Sequence, residues 1–230
     1  MIGLPGQTDN VDFMSKDEII SIDGWMMHVR QPTGDGPYPV LVLLHGWTGD
    51  ENSMWVFAPR LPEKALIIAP RGYYPSKAGG YSWHPEIKKP WPWISDFQPI
   101  VEKIFQEVSN RNFQAGDFSS LHLMGFSQGT ALVYSMAILH PELVTSIAGL
   151  SGFLPDGASS WLEPRRLKGL PTFIAHGSED ELVPVELARK SVQALKYAGA
   201  NVTYCEDDVG HKLSAKCFRG LEAFLDKHVM

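Results

Sequence analysis

HLMGFSQGTALVYSMA, residues 122–137, passes from an apolar run through a lone serine between two glycines into a second, longer apolar segment. The first run, LHLMGF (121–126), is short and reads as a strand. Gln128–Leu139 is apolar nearly all round, as a helix buried against a sheet is. Gly125-Phe126-Ser127-Gln128-Gly129 therefore sits at a strand-to-helix junction. A serine on so tight a turn takes strained dihedrals and points its hydroxyl out of the sheet. The chain two residues before and after passes close enough that a Cβ would clash, which glycine avoids. The helix amino terminus behind the serine favours developing negative charge. G-x-S-x-G arises by chance in roughly one chain in ten of this length, so the strand–turn–helix setting carries more weight than the pattern itself.

Outward from this junction, short apolar runs alternate with amphipathic segments. Strands are expected at 18–22 and 25–31, joined by the hairpin signal Asp23-Gly24, then at 39–45, 65–70, 121–126, 144–151, 171–177 and 201–206. Continuous apolar runs such as VLVLL (40–44) suit central parallel strands covered on both faces. Helices are expected after Ser95, where Ser95 and Gln98 resemble a capping box, over 128–139, from near Pro184 with Val185, Ala188, Val192 and Leu195, and around Phe218, Leu221 and Leu225. Strand–helix alternation after a hairpin predicts an α/β fold with a mostly parallel sheet, and one domain over residues 1–230. In such sheets a ligand site lies beyond the carboxyl ends of the strands, so the loops there hold the chemistry.

A serine hydroxyl needs a base to take its proton. HGSEDELVP (176–184) places Asp180 just after the seventh strand, and DVGHKLS (208–214) places His211 just after the eighth. Ser127, Asp180 and His211 thus follow the order Ser…Asp…His used by α/β-hydrolases, all at one sheet edge. His28 and His122 fall inside strands, and His140 and His228 end helices, so these four read as structural. His45 and His176 each precede a glycine and are expected to order a loop by hydrogen bonding; His84, in a long loop, can line the site. Asp156 is the main rival to Asp180, while Glu179 and Glu181 are expected to face solvent, and Asp207 and Asp208 are poorer candidates still. No closely spaced ligand cluster is present, so no metal is expected.

LLHGWTGDENSMW (43–55) follows the third strand and opens the first covering helix. Acyl transfer needs two donors aimed at the developing oxyanion; the N–H groups of Gln128 and Trp47 are the candidates. Residues 71–93 form a long connection whose Pro75, Pro85, Pro90 and Pro92 argue against regular structure. Such a loop is usually functional. Its aromatics are Tyr73, Tyr74, Tyr81, Trp83, Trp91 and Trp93; about half are expected to pack the loop onto the core, and the others, Tyr73, Tyr81 and Trp83 foremost, to bind an apolar part of the substrate.

Composition sets the frame. The chain has 230 residues, 44% hydrophobic and 20% charged, with a net charge of -6, which argues against a nucleic-acid partner. No run is long enough to span a membrane, and residues 1–18 have neither a basic start nor an apolar stretch, so no signal peptide is expected. Cys205 and Cys217 are too few for a disulfide framework or a metal cage. They are expected as reduced thiols of a cytoplasmic protein. A homodimer is left open.

Together LLHGWTGDENS, GFSQGTAL, HGSEDELVP and the Gly210-His211 pair resemble the phospholipase/carboxylesterase family of α/β-hydrolases, which includes acyl-protein thioesterases. The resemblance, from about residue 39 to 225, implies an eight-stranded α/β-hydrolase fold, a Ser127–Asp180–His211 triad and hydrolysis of carboxylic or thioesters without a cofactor. Thr130 and Thr48 depart from glycines common in the family. The stretch 152–170 is too short for a large cap. A serine peptidase and a non-catalytic receptor on the same fold are the competing readings.

Overall fold

The chain folds back on itself at Asp23-Gly24, where β1 (Lys16–Ile22) pairs antiparallel with β2 (Trp25–Gln31). Both turn residues have positive φ, 48° and 81°, the backbone a two-residue hairpin turn needs. The computed structural model describes residues 16–34, 36–86 and 91–229. Most of the stretch read for a signal peptide lies outside them, as do residues 87–90 of the aromatic loop.

Six further strands complete one sheet: β3 (Tyr38–Leu44), β4 (Leu66–Pro70), β5 (Gly116–Phe126), β6 (Ser146–Leu150), β7 (Pro171–Gly177) and β8 (Asn201–Asp207). The order is β1-β2-β4-β3-β5-β6-β7-β8. Within it β2 runs against the other strands, so the sheet is mostly parallel, as the continuous apolar runs predict. Side chains alternate along each strand and feed two cores. Val40, Val42, Leu44, Leu121 and Leu123 pack with α1 (Ile94–Glu107), α2 (Gln128–Leu139) and α3 (Val185–Tyr197). Leu41, Leu43, Met124 and Phe173 pack with α4 (Ala215–His228) and a 3-10 helix, Ser53–Arg60. Helices thus cover both faces. Between β6 and β7, residues 151–170 hold turns and a short 3-10 segment at Ala158–Ser160; there is no large cap.

Several expectations need correction. β5 begins five residues before Leu121, because Asp117, Ser119 and Ser120 are polar and escape a hydrophobic pattern. α1 starts at Ile94. Asp96 Oδ2 accepts from the Trp93 N–H at 2.7 Å, so the reciprocal cap pairs Trp93 with Asp96 and not Ser95 with Gln98. A bridge to Asp156 already holds Trp93 in place. The segment after the 43–52 loop is a 3-10 helix with Pro59 inside it, a residue that denies the α-helix an N–H. Residues 71–93 are not wholly irregular, since Tyr74–Pro75 pairs with Tyr81–Ser82 in a short ribbon.

Cys205 in β8 and Cys217 in α4 are joined by a disulfide, Cα–Cα 5.6 Å. They are not reduced thiols. β8 and α4 pack against each other, which brings together two residues that are 12 apart in sequence.

Candidate active site

The parallel register ends β3, β5, β6, β7 and β8 along one edge, with pairs such as Leu44↔Gly125, Phe126↔Leu150 and Asp207↔Gly177. The loops carrying Trp47, Ser127, Asp180 and His211 all leave from that edge. Ser127 has φ 55° and ψ −116°, a conformation non-glycine residues adopt only where the surroundings impose it. Its N–H donates to Leu150 O at 2.8 Å, and its carbonyl accepts from Thr130 N at 3.0 Å. A Cβ at Gly125 would collide with the backbone of Gly129, and one at Gly129 with the carbonyl oxygens of Leu44 and His45. This is why the serine is flanked by glycines two residues away on either side.

Thr130, where the family pattern has glycine, is fully buried. Its Oγ1 accepts from Leu150 N at 2.9 Å and lies 2.8 Å from Gly125 O. The hydroxyl ties the start of α2 to the ends of β5 and β6.

Asp180 is buried beneath this edge. Its Oδ1 accepts from the N–H groups of Leu182 and Val183, each at 2.9 Å. Its Oδ2 lies 2.7 Å from His211 Nδ1. A carboxylate only accepts, so Nδ1 carries the proton and, in the neutral ring, Nε2 presents a lone pair. His211 retains 18% side-chain exposure, and its ring lies 5.0 Å from that of Phe126, centroid to centroid. Asp156, the rival acid, is exposed, as are Glu179 and Glu181.

Ser127 and His211 line the same cavity, about 610 Å³, with Trp47, His84, Trp91, Phe126, Phe153, Leu182 and Val183 among its walls. The Trp91 and Phe153 rings pack at a tilt of 59°, their centroids 4.6 Å apart. Among the described residues the N–H groups of Trp47 and Gln128 have no hydrogen-bond partner.

Tyr73, Tyr81 and Trp83 do not line this cavity. Trp83 is fully buried and its indole donates to His45 O at 2.7 Å; truncating it to alanine would cost roughly 3–5 kcal/mol. The Tyr81 ring takes Arg71 at 4.7 Å, and its main chain bonds Thr48 and Gly49. Tyr73 packs edge-on against Trp25. These rings hold the loop down, while Trp91 of the same loop faces the cavity. Sequence reading also passed over Leu182 and Val183; an apolar pair inside the acidic SEDELVP segment was the available signal.

A layer of polar contacts supports the walls. The Gln128 side chain accepts from Trp83 N at 3.1 Å and donates to His84 Nε2 at 3.0 Å. His84 Nδ1 donates to Pro85 O at 2.7 Å. His45 Nε2 accepts from Gly72 N at 2.7 Å while Nδ1 donates to Gly46 O, and burial pushes this imidazole below the ordinary histidine range. Glu51, almost buried, takes two 2.6 Å bonds from Arg71, whose guanidinium holds the carboxyl below the usual carboxylate range. The 43–52 loop is thereby fastened to the 71–84 segment.

The sequence model of the phospholipase/carboxylesterase family matches residues 28–229. The chain belongs to that family. Among its relatives are the carboxylesterase SOBER1 of Arabidopsis thaliana, 28% identical over 59% of this chain and 58% of that protein, and acyl-protein thioesterase 1 of Emericella nidulans, 33% identical over 47% of this chain and 48% of that one. The chain thus spans about half the length of these two curated relatives. A carboxylesterase from Mesorhizobium loti has a TM-score of 0.76 at 21% identity, covering 91% of this chain and 98% of its own. At that identity the likeness speaks for the α/β-hydrolase fold alone.

Proposed function

We propose that this family member is a serine hydrolase of carboxylic esters, thioesters included, acting in a single domain through Ser127, His211 and Asp180. The observation that carries the reading is the 2.7 Å bond from His211 Nδ1 to a buried Asp180, with His211 and Ser127 both lining one largely apolar cavity. Asp180 keeps the imidazole in the tautomer whose Nε2 accepts a proton. Ser127 Oγ attacks the ester carbonyl as His211 takes its proton. The tetrahedral oxyanion is held by the N–H groups of Trp47 and Gln128, whose lack of other partners favours this role. His211 returns the proton to the leaving alcohol or thiol. It then draws a proton from water, which cleaves the acyl-enzyme and frees Ser127.

The aromatic and aliphatic walls favour an apolar acyl or alcohol group, and the mechanism asks for no metal or cofactor. The thioester reading leans on the relative named as a thioesterase. The cytoplasmic location expected from composition is kept in this reading. There the Cys205–Cys217 bond would meet a reducing glutathione pool, so its redox state in cells tests the location.

The decisive experiment pairs a fluorophosphonate probe with turnover of p-nitrophenyl esters. Wild type is expected to be labelled and active, while Ser127→Ala loses labelling and on the order of 10⁶-fold in kcat. Labelling that persists in Ser127→Ala overturns the assignment. Absence of ester turnover in wild type favours a receptor, and cleavage of peptides in preference to esters favours a peptidase.

A further inference from the structure

We propose that His176 is a positioning residue for Asp180, closing a ring of contacts that holds the carboxylate against His211. The proposal rests on the triad reading above.

His176 is the next-to-last residue of β7, four residues before Asp180, and both side chains are fully buried. Its Nε2 lies 2.8 Å from Val183 O and 3.3 Å from Asp180 Oδ2. Both neighbours only accept, so Nε2 carries a proton. Among the described residues His176 Nδ1 is buried with no hydrogen-bond partner. The Nδ1–H form would bury an unpaired N–H and turn a bare Nε2 lone pair toward two acceptors, so the contacts select the Nε2–H form. Burial also pushes this imidazole below the ordinary histidine range, keeping it neutral.

The contacts form a cycle. His176 donates to Val183 O, Val183 N–H donates to Asp180 Oδ1 at 2.9 Å, and Asp180 Oδ2 faces the polarised Nε2–H of His176. Asp180 Oδ2 therefore sits between two imidazoles, bonded to His211 and flanked by His176. The ring fixes the carboxylate plane through the main chain of Val183, which also lines the cavity. Without the His176 donor, Val183 O is left buried and unpaired, the 178–184 turn relaxes, and the Asp180–His211 bond loses its alignment. Trp47, Trp91, Phe126 and Phe153 line the cavity from other elements, so the effect falls more on turnover than on binding.

The test compares wild type, His176→Phe and His176→Gln, with active protein counted by fluorophosphonate titration. His176→Phe keeps a ring but removes the donor; it is expected to lower kcat about tenfold or more with a smaller change in KM. Glutamine carries an amide N–H near the place of Nε2, and His176→Gln is expected to recover most of the loss. Unchanged kcat in His176→Phe overturns the proposal, as does a glutamine variant no better than phenylalanine, or a change confined to KM. Should His176→Phe not fold, ¹⁵N-histidine spectra of wild type decide the matter: His176 must be the Nε2–H tautomer at neutral pH, and an Nδ1–H tautomer refutes the ring. If wild type itself takes no probe, the triad reading has failed, which is a separate result.

Discussion

Reducing the Cys205–Cys217 bond is expected to destabilise the protein markedly while leaving most of its activity. The bond joins residues 12 apart. Opening a loop of that length returns chain entropy to the unfolded state worth about 3 kcal/mol. Little packing is lost in the folded state, because Cys217 is buried among Leu221, Phe224 and Phe173, where a free thiol is also at home. For a domain of this size each kcal/mol moves Tm by about 2–4 °C, so reduction should lower Tm by roughly 6–12 °C. His211 lies inside the closed loop, but its bond to Asp180 and the Ser214 cap of α4, which accepts from Cys217 N at 3.1 Å, both survive reduction. Activity at 25 °C should therefore fall less than about tenfold. The assay is calorimetry with and without a phosphine reductant, alongside a count of alkylated thiols by mass spectrometry. A fully reduced protein that melts within about 2 °C of the oxidised one would refute the entropy reasoning. Two cysteines alkylated in the native, unreduced protein would show the bond is not there.

Acid should destabilise the fold through His122. Burial between Ser120 and Ser146 pushes its imidazole down to about 4, against about 6.5 in the unfolded chain. The unfolded state then binds the extra proton, so stability is fully present above about pH 6.5 and drains as pH falls toward 4, by on the order of 2–3 kcal/mol. Urea titrations at pH 7 and 4.5 should show wild type losing about that much more than His122→Leu; equal losses would contradict it. Gly129→Ala places a methyl against two strand carbonyls and should cost about 3 kcal/mol and most of the fluorophosphonate labelling. A variant as stable and as reactive as wild type would mean the elbow is looser than described.

Much of this architecture is legible in the chain because it is written locally. The Asp23-Gly24 hairpin, the runs at 40–44 and 171–177 and the Ser127 junction each depend on residues within a few positions of one another. Strand period and glycine placement therefore identify eight strands and the loops that carry Ser127, Asp180 and His211. What the sequence could not say is which side chains meet when those loops come together. Trp83 and Trp91 share one aromatic loop, yet Trp83 is buried under it and Trp91 faces the cavity, because the 81–84 stretch is fastened by Gln128 and His45, residues far away in sequence. Cys205 and Cys217 bond only because β8 and α4 pack side by side. His176 looks like a loop-ordering histidine until Val183 and Asp180 close around it. Periodicity reports the direction of a side chain relative to its own backbone; which distant group it touches depends on packing between elements, and that exists only in the folded chain.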